Sequence, residues 1–231
     1  MTTSGTYSFN PSLGELVLYA FNLTGVRNTS IVQEHMESAR MATNLMLADW
    51  ANQGVNLWEV DLVTVPLVAG QATYSVDPNT VVMLDAYMTI DNGASQPIDR
   101  IILPISRTEY ASYPNKQQQG FTTVFWFDRL LSPTVTLWPV PDGTSAQYLK
   151  YYRVTQIQDA EFTAGQTVDI PYLWMKAFAD GLALELSRTW NPQLSAGLLP
   201  FADRSYKTAA TRNVETAQQY ISPMLSGYYR P

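Results

Sequence analysis

Four carboxylates are the side chains that could work together as a paired acid and base: Asp128, Asp142, Asp159 and Glu161. Enzymes that cleave glycosidic bonds use two such groups facing each other across the bond. No spacing in the sequence selects one pair from the four, and single carboxylates are common on solvated surfaces. A carbohydrate-cleaving or carbohydrate-binding function therefore stays open as an alternative, without a defined site.

Other catalytic chemistry has few residues to draw on. The chain has no cysteine and a single histidine, His35, which lies at the edge of an apolar helical stripe. A histidine-based triad, a thiolate metal site and a disulfide framework are therefore not expected. The sequence also contains no glycine-rich phosphate loop, nucleophile elbow or zinc-ligand spacing. We predict a protein that is not an enzyme and that carries no cofactor or metal.

Aromatic side chains on predicted strands are a second group that could bind a ligand. They are Phe125, Trp126, Phe127, Trp138, Tyr148, Tyr151 and Tyr152. Exposed rings can stack on sugars or bases, but rings on strands more often belong to a core or to a protein interface. We interpret these aromatic residues as structural.

Charged residues are sparse, at 15% of the 231 residues, and the net charge of −6 is unevenly distributed. Residues 1–54 carry two basic and four acidic groups, residues 55–170 six and twelve, and residues 171–231 six and four. The acidic middle argues against a surface that grips nucleic acid there. Three basic residues on the last predicted helix leave DNA binding as a further alternative; they are Arg204, Lys207 and Arg212.

Neither a membrane span nor a secretion signal is predicted. No apolar run approaches the length that a bilayer requires, and the first residues lack the basic and apolar regions of a signal peptide. The low charge instead suggests that partner proteins cover part of the surface.

The stretch of residues 169–192 predicts a central helix. Pro171 lies in its first turn, where a missing N–H costs nothing, and the residue before Pro192 is pushed out of the α region. Apolar residues recur on two sides of this helix, which predicts burial between other elements.

Three further helices and a β segment are predicted around it. A first helix covers about residues 12–25 and begins with a capping box formed by Ser12 and Glu15. A second helix runs from residue 28 or 30 to about residue 54, and a fourth covers residues 198–220.

Between the two pairs of helices the apolar period changes from 3.6 to two, as Trp58, Val60 and Leu62 show. Asn92-Gly93 is a strong hairpin signal, and one helical turn is predicted near residues 106–110. Further strands are predicted at about residues 72–76, 80–90, 98–102, 122–128, 133–139 and 147–156.

Together these elements predict an α+β protein: an antiparallel bundle of four helices, an inserted antiparallel β-barrel or sandwich domain, and an extended C-terminal arm. The predicted parts are an N-terminal arm with helices one and two (1–54), the β domain (55–170), helices three and four (171–220) and the arm (221–231). Residues 114–120 form a polar loop that should face solvent or a partner. The aromatic arm has no obvious core partner and suits burial against another protein.

The stretch of residues 105–141 resembles the head-to-tail adaptor family of short-tailed bacteriophages, also called the tail tubular protein A or head-completion type. The matching pieces are Ile105-Ser106-Arg107, Glu109-Tyr110, Pro114-Asn115-Lys116, Gly120, FWFDR at 125–129 and LWPVP at 137–141. Residues 50–58 and the central helix, with Ile170-Pro171, Trp174, Leu182 and Ala183, fit the same pattern. Phe121-Thr122-Thr123 departs from the Pro-Thr that the family usually places after the glycine. The order of elements agrees over about residues 12–220.

The resemblance implies a structural virion protein of the neck or tail, assembled in the host cytoplasm. Such adaptors form a ring of twelve copies under the portal protein, extend the channel for passing double-stranded DNA and provide a platform for the tail nozzle. It also implies that the C-terminal arm docks on the portal and that the exposed loop meets the tail. The portal contacts would be Arg212, Tyr220, Ile221, Met224, Leu225, Tyr228, Tyr229 and Arg230, and the tail contacts Asn115, Lys116, Gln117, Gln118 and Gln119.

Overall fold

The structure, a computed structural model, describes residues 3, 5, 6, 9–54, 57–91, 93, 96–163 and 165–214. Within these ranges it is a mixed α+β protein, as predicted, with five α-helices and one curled sheet of seven strands. The helices are α1 (Leu13–Leu23), α2 (Gln33–Gln53), α3 (Arg107–Ser112), α4 (Met175–Trp190) and α5 (Pro192–Ala210). The strands are β1 (Val60–Pro66), β2 (Thr73–Ser75), β3 (Thr80–Asp91), β4 (Ile98–Pro104), β5 (Val124–Asp128), β6 (Thr134–Trp138) and β7 (Ala146–Thr155).

Helix α1 begins with the predicted capping box. The Ser12 hydroxyl accepts a hydrogen bond from the Glu15 backbone N–H, and the Glu15 carboxylate accepts one from the Ser12 backbone N–H at 2.8 Å. This pair satisfies two of the donors that a helix start leaves unpaired. The N–H bond from Ser12 also lowers the pKa of Glu15.

Helix α4 is the element around which the other long helices pack. Helices α1, α2 and α5 all contact it, and Phe178, Leu182 and Leu186 on α4 are fully buried. The contact with α2 is close at Gly181, where an added Cβ would lie 2.9 Å from the sulfur of Met46. None of the helices in the described ranges combines the length and the apolar character that a membrane crossing needs.

Helix α5 begins earlier than predicted. It starts at Pro192 rather than at residue 198, directly after Asn191 breaks the helical path with φ −150° and ψ 73°. The proline that ends α4 is therefore also the first residue of α5, because the fixed φ of proline suits a first helical position. The end predicted at residue 220 lies outside the described residues.

All seven predicted strands are present, with one change at the start of β1. Residues Leu57–Glu59 form a 3₁₀ turn and β1 begins at Val60. The Trp58 ring lies 5.0 Å from the Trp174 ring, so it packs with the helices instead of starting the strand. At the predicted hairpin, β3 and β4 pair antiparallel and Gly93 adopts φ +77°; Asn92 lies outside the described residues.

The strands form a single sheet in the order β1-β7-β3-β4-β5-β6-β2. The prediction of an antiparallel domain is wrong at one place, because β4 and β5 pair in parallel. The connection between them, which contains α3, is long enough to return the chain to the same end of the sheet, as a parallel pair requires.

The sheet curls around its own apolar core. Strands β1 and β2 lie at opposite edges of the sheet but are consecutive in the chain, so the two edges must approach each other. The Tyr74 hydroxyl on β2 accepts a hydrogen bond from the Val68 N–H at 2.9 Å and donates one to the Val68 carbonyl at 3.2 Å. Residues from both halves of the sheet fill the core: Tyr74, Val76, Ala86, Met88, Ile102, Phe125, Val135, Leu137, Leu149 and Tyr151.

The helices and the sheet meet where the chain returns from β7. Ile157 and Ala160 are buried in the helical core, which is the apolar cluster of α1, α2, α4 and α5. The Asn44 side chain on α2 accepts from the Ala160 N–H at 2.8 Å and donates to the Ala160 carbonyl at 3.1 Å. Helix α2 is thereby joined to the segment that leads back from the sheet.

Candidate interaction surfaces

The polar loop of residues 114–120 is fastened near its start by side-chain hydrogen bonds and at its end by the Gly120 N–H, which donates to the Val140 carbonyl at 2.9 Å. Lys116 donates hydrogen bonds to the carbonyls of Ala111 and Tyr113 at 3.1 and 3.0 Å. Trp138 donates its ring N–H to the Asn115 carbonyl at 3.0 Å. The side chains of Asn115, Gln117, Gln118 and Gln119 are exposed, whereas Lys116 is half-buried. The loop therefore presents amide groups on a fixed backbone.

The strand aromatics next to this loop pack on each other. Trp126 stacks on Tyr110 with 5.6 Å between ring centroids, and Trp138 stacks on Tyr113 with 4.1 Å. Arg107 lies over the Trp126 ring at 5.7 Å and pairs with Asp128 at 3.3 Å. These contacts occupy ring faces that a sugar would need, which supports the structural interpretation of the aromatic residues.

Two of the four candidate carboxylates are engaged in separate local contacts. Asp128 is bound to Arg107. Asp142 accepts from the N–H and hydroxyl of Thr144, and the Thr144 N–H lowers the pKa of Asp142. In the described part of the chain no hydrogen bond joins any two of the four. These contacts define no pair of catalytic carboxyl groups for the carbohydrate-cleaving alternative.

His35 lies between helices. Its ring stacks on Trp190 with 3.9 Å between centroids and meets Phe21 edge-on at 5.7 Å. The Nδ1 atom accepts a 3.4 Å hydrogen bond from the Val32 N–H at the start of α2. The half-buried histidine thus fastens the first turn of α2 against α4, in agreement with a structural role.

A groove of about 740 Å³ lies between α4 and α5; we call it the α4–α5 groove. Leu173 and Phe201 line it and are each 62% exposed, while Ala177 and Ala209 form part of its buried floor. The sequence places Leu173 in a second apolar stripe, which predicts burial, but no described residue covers it. The small alanines let the two helices approach closely, so the larger apolar side chains remain at the rim.

The α4–α5 groove carries an excess of positive charge. Its cations are Lys176, Arg204 and Arg212, and its one carboxylate is Asp180. Lys176 pairs with Asp180 at 2.7 Å. Neither Arg204 nor Arg212 makes an ion pair with any residue that the structure describes. Two cations are therefore available to a partner.

A second groove of about 610 Å³ adjoins the first at Leu173 and Lys176. It lies between the N-terminal segment, α1 and α4, and exposed Phe9, Tyr19 and Tyr172 contribute apolar surface to it. Phe9 and Tyr172 meet edge-on at 6.5 Å. Apolar surface therefore lies on both sides of the exposed face of α4, toward α5 and toward α1.

Helix α2 carries a further exposed strip, away from its buried side. Met41 and Leu45 lie one turn apart and are 56% and 63% exposed. An apolar pair at i and i+4, off the buried stripe, is the sequence signal that could have identified this strip.

The predicted portal contacts fall mostly beyond the described part of the chain. Arg212 lies in the α4–α5 groove. The other seven lie outside the described residues: Tyr220, Ile221, Met224, Leu225, Tyr228, Tyr229 and Arg230. The structure therefore leaves those portal contacts as predictions.

Comparison with known proteins adds one finding to this geometry. A sequence model of the SU10 adaptor protein family matches residues 26–224. The matched range includes α2, all seven strands, α4 and α5. No curated protein matches the chain at a significant level.

Proposed function

The chain belongs to the SU10 adaptor protein family, and from this we propose that it is the ring-forming head-to-tail adaptor of a tailed phage. The family membership supports a structural adaptor role rather than an enzymatic one. The observation that carries the proposal is the extent of the match, because it includes both the helices and the sheet. In this proposal twelve copies sit under the portal protein in the neck of the virion, after assembly in the host cytoplasm.

The exposed apolar side chains of the helical region support ring formation. Leu173 and Phe201 on one side, and Met41 and Leu45 on another, lie in water in the single chain. Exposed apolar patches with polar rims mark protein interaction sites more often than they mark free surface. An oligomer with a bundle-type contact between helices would remove these side chains from solvent.

The charge distribution supports a channel that DNA passes without binding. Residues 55–170 carry six basic and twelve acidic groups, a net charge of −6. A ring lined by such a segment repels phosphates and lets the duplex slide. The proposed channel extension therefore needs no base contact and no specific DNA site.

The two proposed partners would contact different parts of the chain. The arm of residues 221–231, together with Arg212 and Tyr220, would dock on the portal. The exposed loop with Asn115, Lys116 and the three glutamines would face the tail nozzle. A loop that is fixed at its base and polar at its tip gives a partner well-placed donors and acceptors at little ordering cost.

We also propose the four-part division of the chain: residues 1–54, 55–170, 171–220 and 221–231. The separate apolar clusters of the helices and of the sheet support it. The end of the inserted segment contributes Ile157 and Ala160 to the helical core, so this part links the two regions.

Native mass spectrometry of the chain, alone and mixed with its portal ring, tests the proposal. We expect a monomer or loose oligomer alone and a closed ring of fixed stoichiometry on the portal. A chain that stays monomeric and does not bind the portal ring would overturn the adaptor function.

Deletion of residues 221–231 tests the portal contact separately. We expect the shortened chain to keep its helical circular dichroism and its unfolding midpoint but to lose binding to the portal. The matched control replaces Gln117, Gln118 and Gln119 by alanine, which should leave portal binding unchanged. Retained binding by the shortened chain would contradict the role of the arm.

A further inference from the structure

We propose that the ring closes by docking the outer stripe of α2 from one copy into the α4–α5 groove of the next. The outer stripe consists of Glu34, Glu37, Met41, Leu45 and Ala48. This inference rests on the proposed ring and names the two surfaces that would form its repeated contact.

The stripe is continuous on one side of α2. With about 100° between successive residues of a helix, its five members lie within about 80° of arc. The buried residues of α2, such as Ala39 and Met46, lie on the opposite side and pack against α4. The stripe therefore points away from the chain's own core and is free to meet another molecule.

The two surfaces match in polarity. Met41 and Leu45 offer a pair of apolar side chains one helical turn apart, and the groove offers Leu173 and Phe201 with alanines beneath them. A groove between two helices that receives an amphipathic helix is a common mode of recognition. The apolar contact removes all four exposed side chains from water at once.

The two surfaces also match in charge. Glu34 and Glu37 lie on the α2 stripe without an ion pair to any described residue, and Glu37 accepts only a hydrogen bond from Gln33 at 3.1 Å. Arg204 and Arg212 are the groove cations that make no ion pair with a described residue. Opposite charges beside an apolar pair set the register of a contact and disfavour a second stripe or a second groove as partner. This charge pattern is why we commit to another copy of the chain as the occupant.

The placement of the two surfaces suits a ring. Phe178 faces α2, with its ring 6.5 Å from that of Trp50. Lys176, at the groove, lies about 200° around α4 from Phe178. The stripe points outward from α2 and the groove lies between α4 and α5, so the two surfaces do not overlap and each copy can give its stripe to one neighbour and its groove to the other. Contacts of this head-to-tail kind produce rings when the rotation closes.

Cross-linking of assembled rings provides the direct test, since the chain has no cysteine of its own. Full-length Leu45→Cys and Phe201→Cys chains of different tag mass are mixed, assembled on the portal ring and mildly oxidised. We expect a disulfide-linked dimer between a Leu45→Cys chain and a Phe201→Cys chain. No disulfide-linked dimer should form between two Leu45→Cys chains or between two Phe201→Cys chains. Leu131→Cys, at a fully exposed position between β5 and β6, replaces Leu45→Cys in the control and should give no product.

Charge exchange gives a second readout. Arg204→Glu should reduce ring formation on the portal at low salt by about tenfold, because like charges then face each other; Arg212 stays unchanged because it is also a proposed portal contact. Adding Glu34→Arg and Glu37→Arg to the same chain should restore ring formation on the portal. Loss without restoration, in chains with unchanged circular dichroism, would overturn the pairing.

The outcomes separate this inference from the adaptor function. Rings of unchanged stoichiometry without the Leu45–Phe201 cross-link would overturn the inference and leave the adaptor function standing. A cross-link from Phe201→Cys to Leu225→Cys instead would assign the groove to the C-terminal arm. Failure of the unmodified chain to form any ring on the portal would overturn both proposals.

Discussion

The helical core and the sheet are held together by different kinds of contact. In the helical core the rings of Trp50 and Trp174 lie 5.1 Å apart, and the ion pairs of α4 run along the helix between Lys176 and Asp180 and between Glu185 and Arg188. In the sheet, by contrast, one guanidinium joins separate elements.

That guanidinium belongs to Arg153 on β7, whose side chain is 12% exposed. It pairs with Asp61 on β1 at 2.8 Å and with Asp77 before β3 at 2.9 Å, and it donates to the Thr80 hydroxyl at 3.1 Å. Both aspartates raise the pKa of Arg153. Apolar packing therefore holds the helices together, whereas in the sheet ion pairs add to the apolar packing. The three changes that follow test this contrast.

Phe178→Ala should have the largest effect, because it opens a cavity at the centre of the helical core. Phe178 is fully buried on α4. We expect the free energy of unfolding to fall by about 3–5 kcal/mol, measured by chemical denaturation. The matched control is Leu173→Ala, an exposed position just before α4 begins, which should change the free energy of unfolding by less than about 0.5 kcal/mol. Equal effects at the two positions would contradict the packing around α4.

Arg153→Met should have an intermediate effect confined to the sheet. It removes two ion pairs and one hydrogen bond while keeping most of the side-chain length. We expect a loss of about 1–3 kcal/mol, since the aspartate partners are half exposed and solvent screens their pairing. Arg129→Met, at an exposed arginine, is the control and should be neutral.

Acid should reduce the difference between the wild type and Arg153→Met. The Asn79 N–H and then Arg153 lower the pKa of Asp77. A carboxyl whose pKa is lower in the folded state stabilises the fold above its unfolded pKa, near 3.9, and this contribution is lost as the pH falls through the folded value. A difference in unfolding midpoint that stays constant from pH 7 to pH 2 would argue against the ion pairs.

Glu59→Gln should have the smallest effect and the opposite sign. Glu59 lies between the two regions, where burial raises its pKa and the nearby Asp169 carboxylate raises it further, against the hydrogen bond from the Thr155 hydroxyl. A carboxyl with a raised pKa favours the fold only while it is protonated, so its ionisation costs stability at neutral pH.

At pH 7 the free energy of unfolding of the glutamine variant should therefore exceed that of the wild type by less than about 1 kcal/mol. Below pH 4, where the wild-type carboxyl is protonated, the two proteins should behave alike. A variant that is less stable at both pH values would show that the carboxylate itself is needed at the junction.

Local patterns were enough to predict most of the elements. The change of period near Val60 and the turn at Gly93 identify strands. The buried side of β1 is predicted wrongly, however, because Leu62 is 45% exposed and Val63 and Val65 pack on the sheet core. Ser12 and Glu15 identify the start of α1 because their hydrogen bonds are made within one turn.

The errors occur where distant contacts decide the structure. Trp58 begins a strand pattern but packs on Trp174, far along the chain, and the strand starts only at Val60. The parallel pairing of β4 and β5 depends on the path of a long connection, which has no local signature. The exposure of Leu173 depends on which neighbours cover α4, and periodicity cannot distinguish a side covered by the chain itself from one left for a partner.

The insertion of the sheet between two pairs of helices also sets an order of events during synthesis. Helices α1 and α2 leave the ribosome first, but α4, on which both pack, begins only at Met175, after the last strand. Chains grow from the N-terminus and fold in units as they emerge, so the sheet can form while the apolar sides of α1 and α2 still lack their partner. Arrested chains that end after β7 should already protect the strands from protease while leaving α1 and α2 open to cleavage.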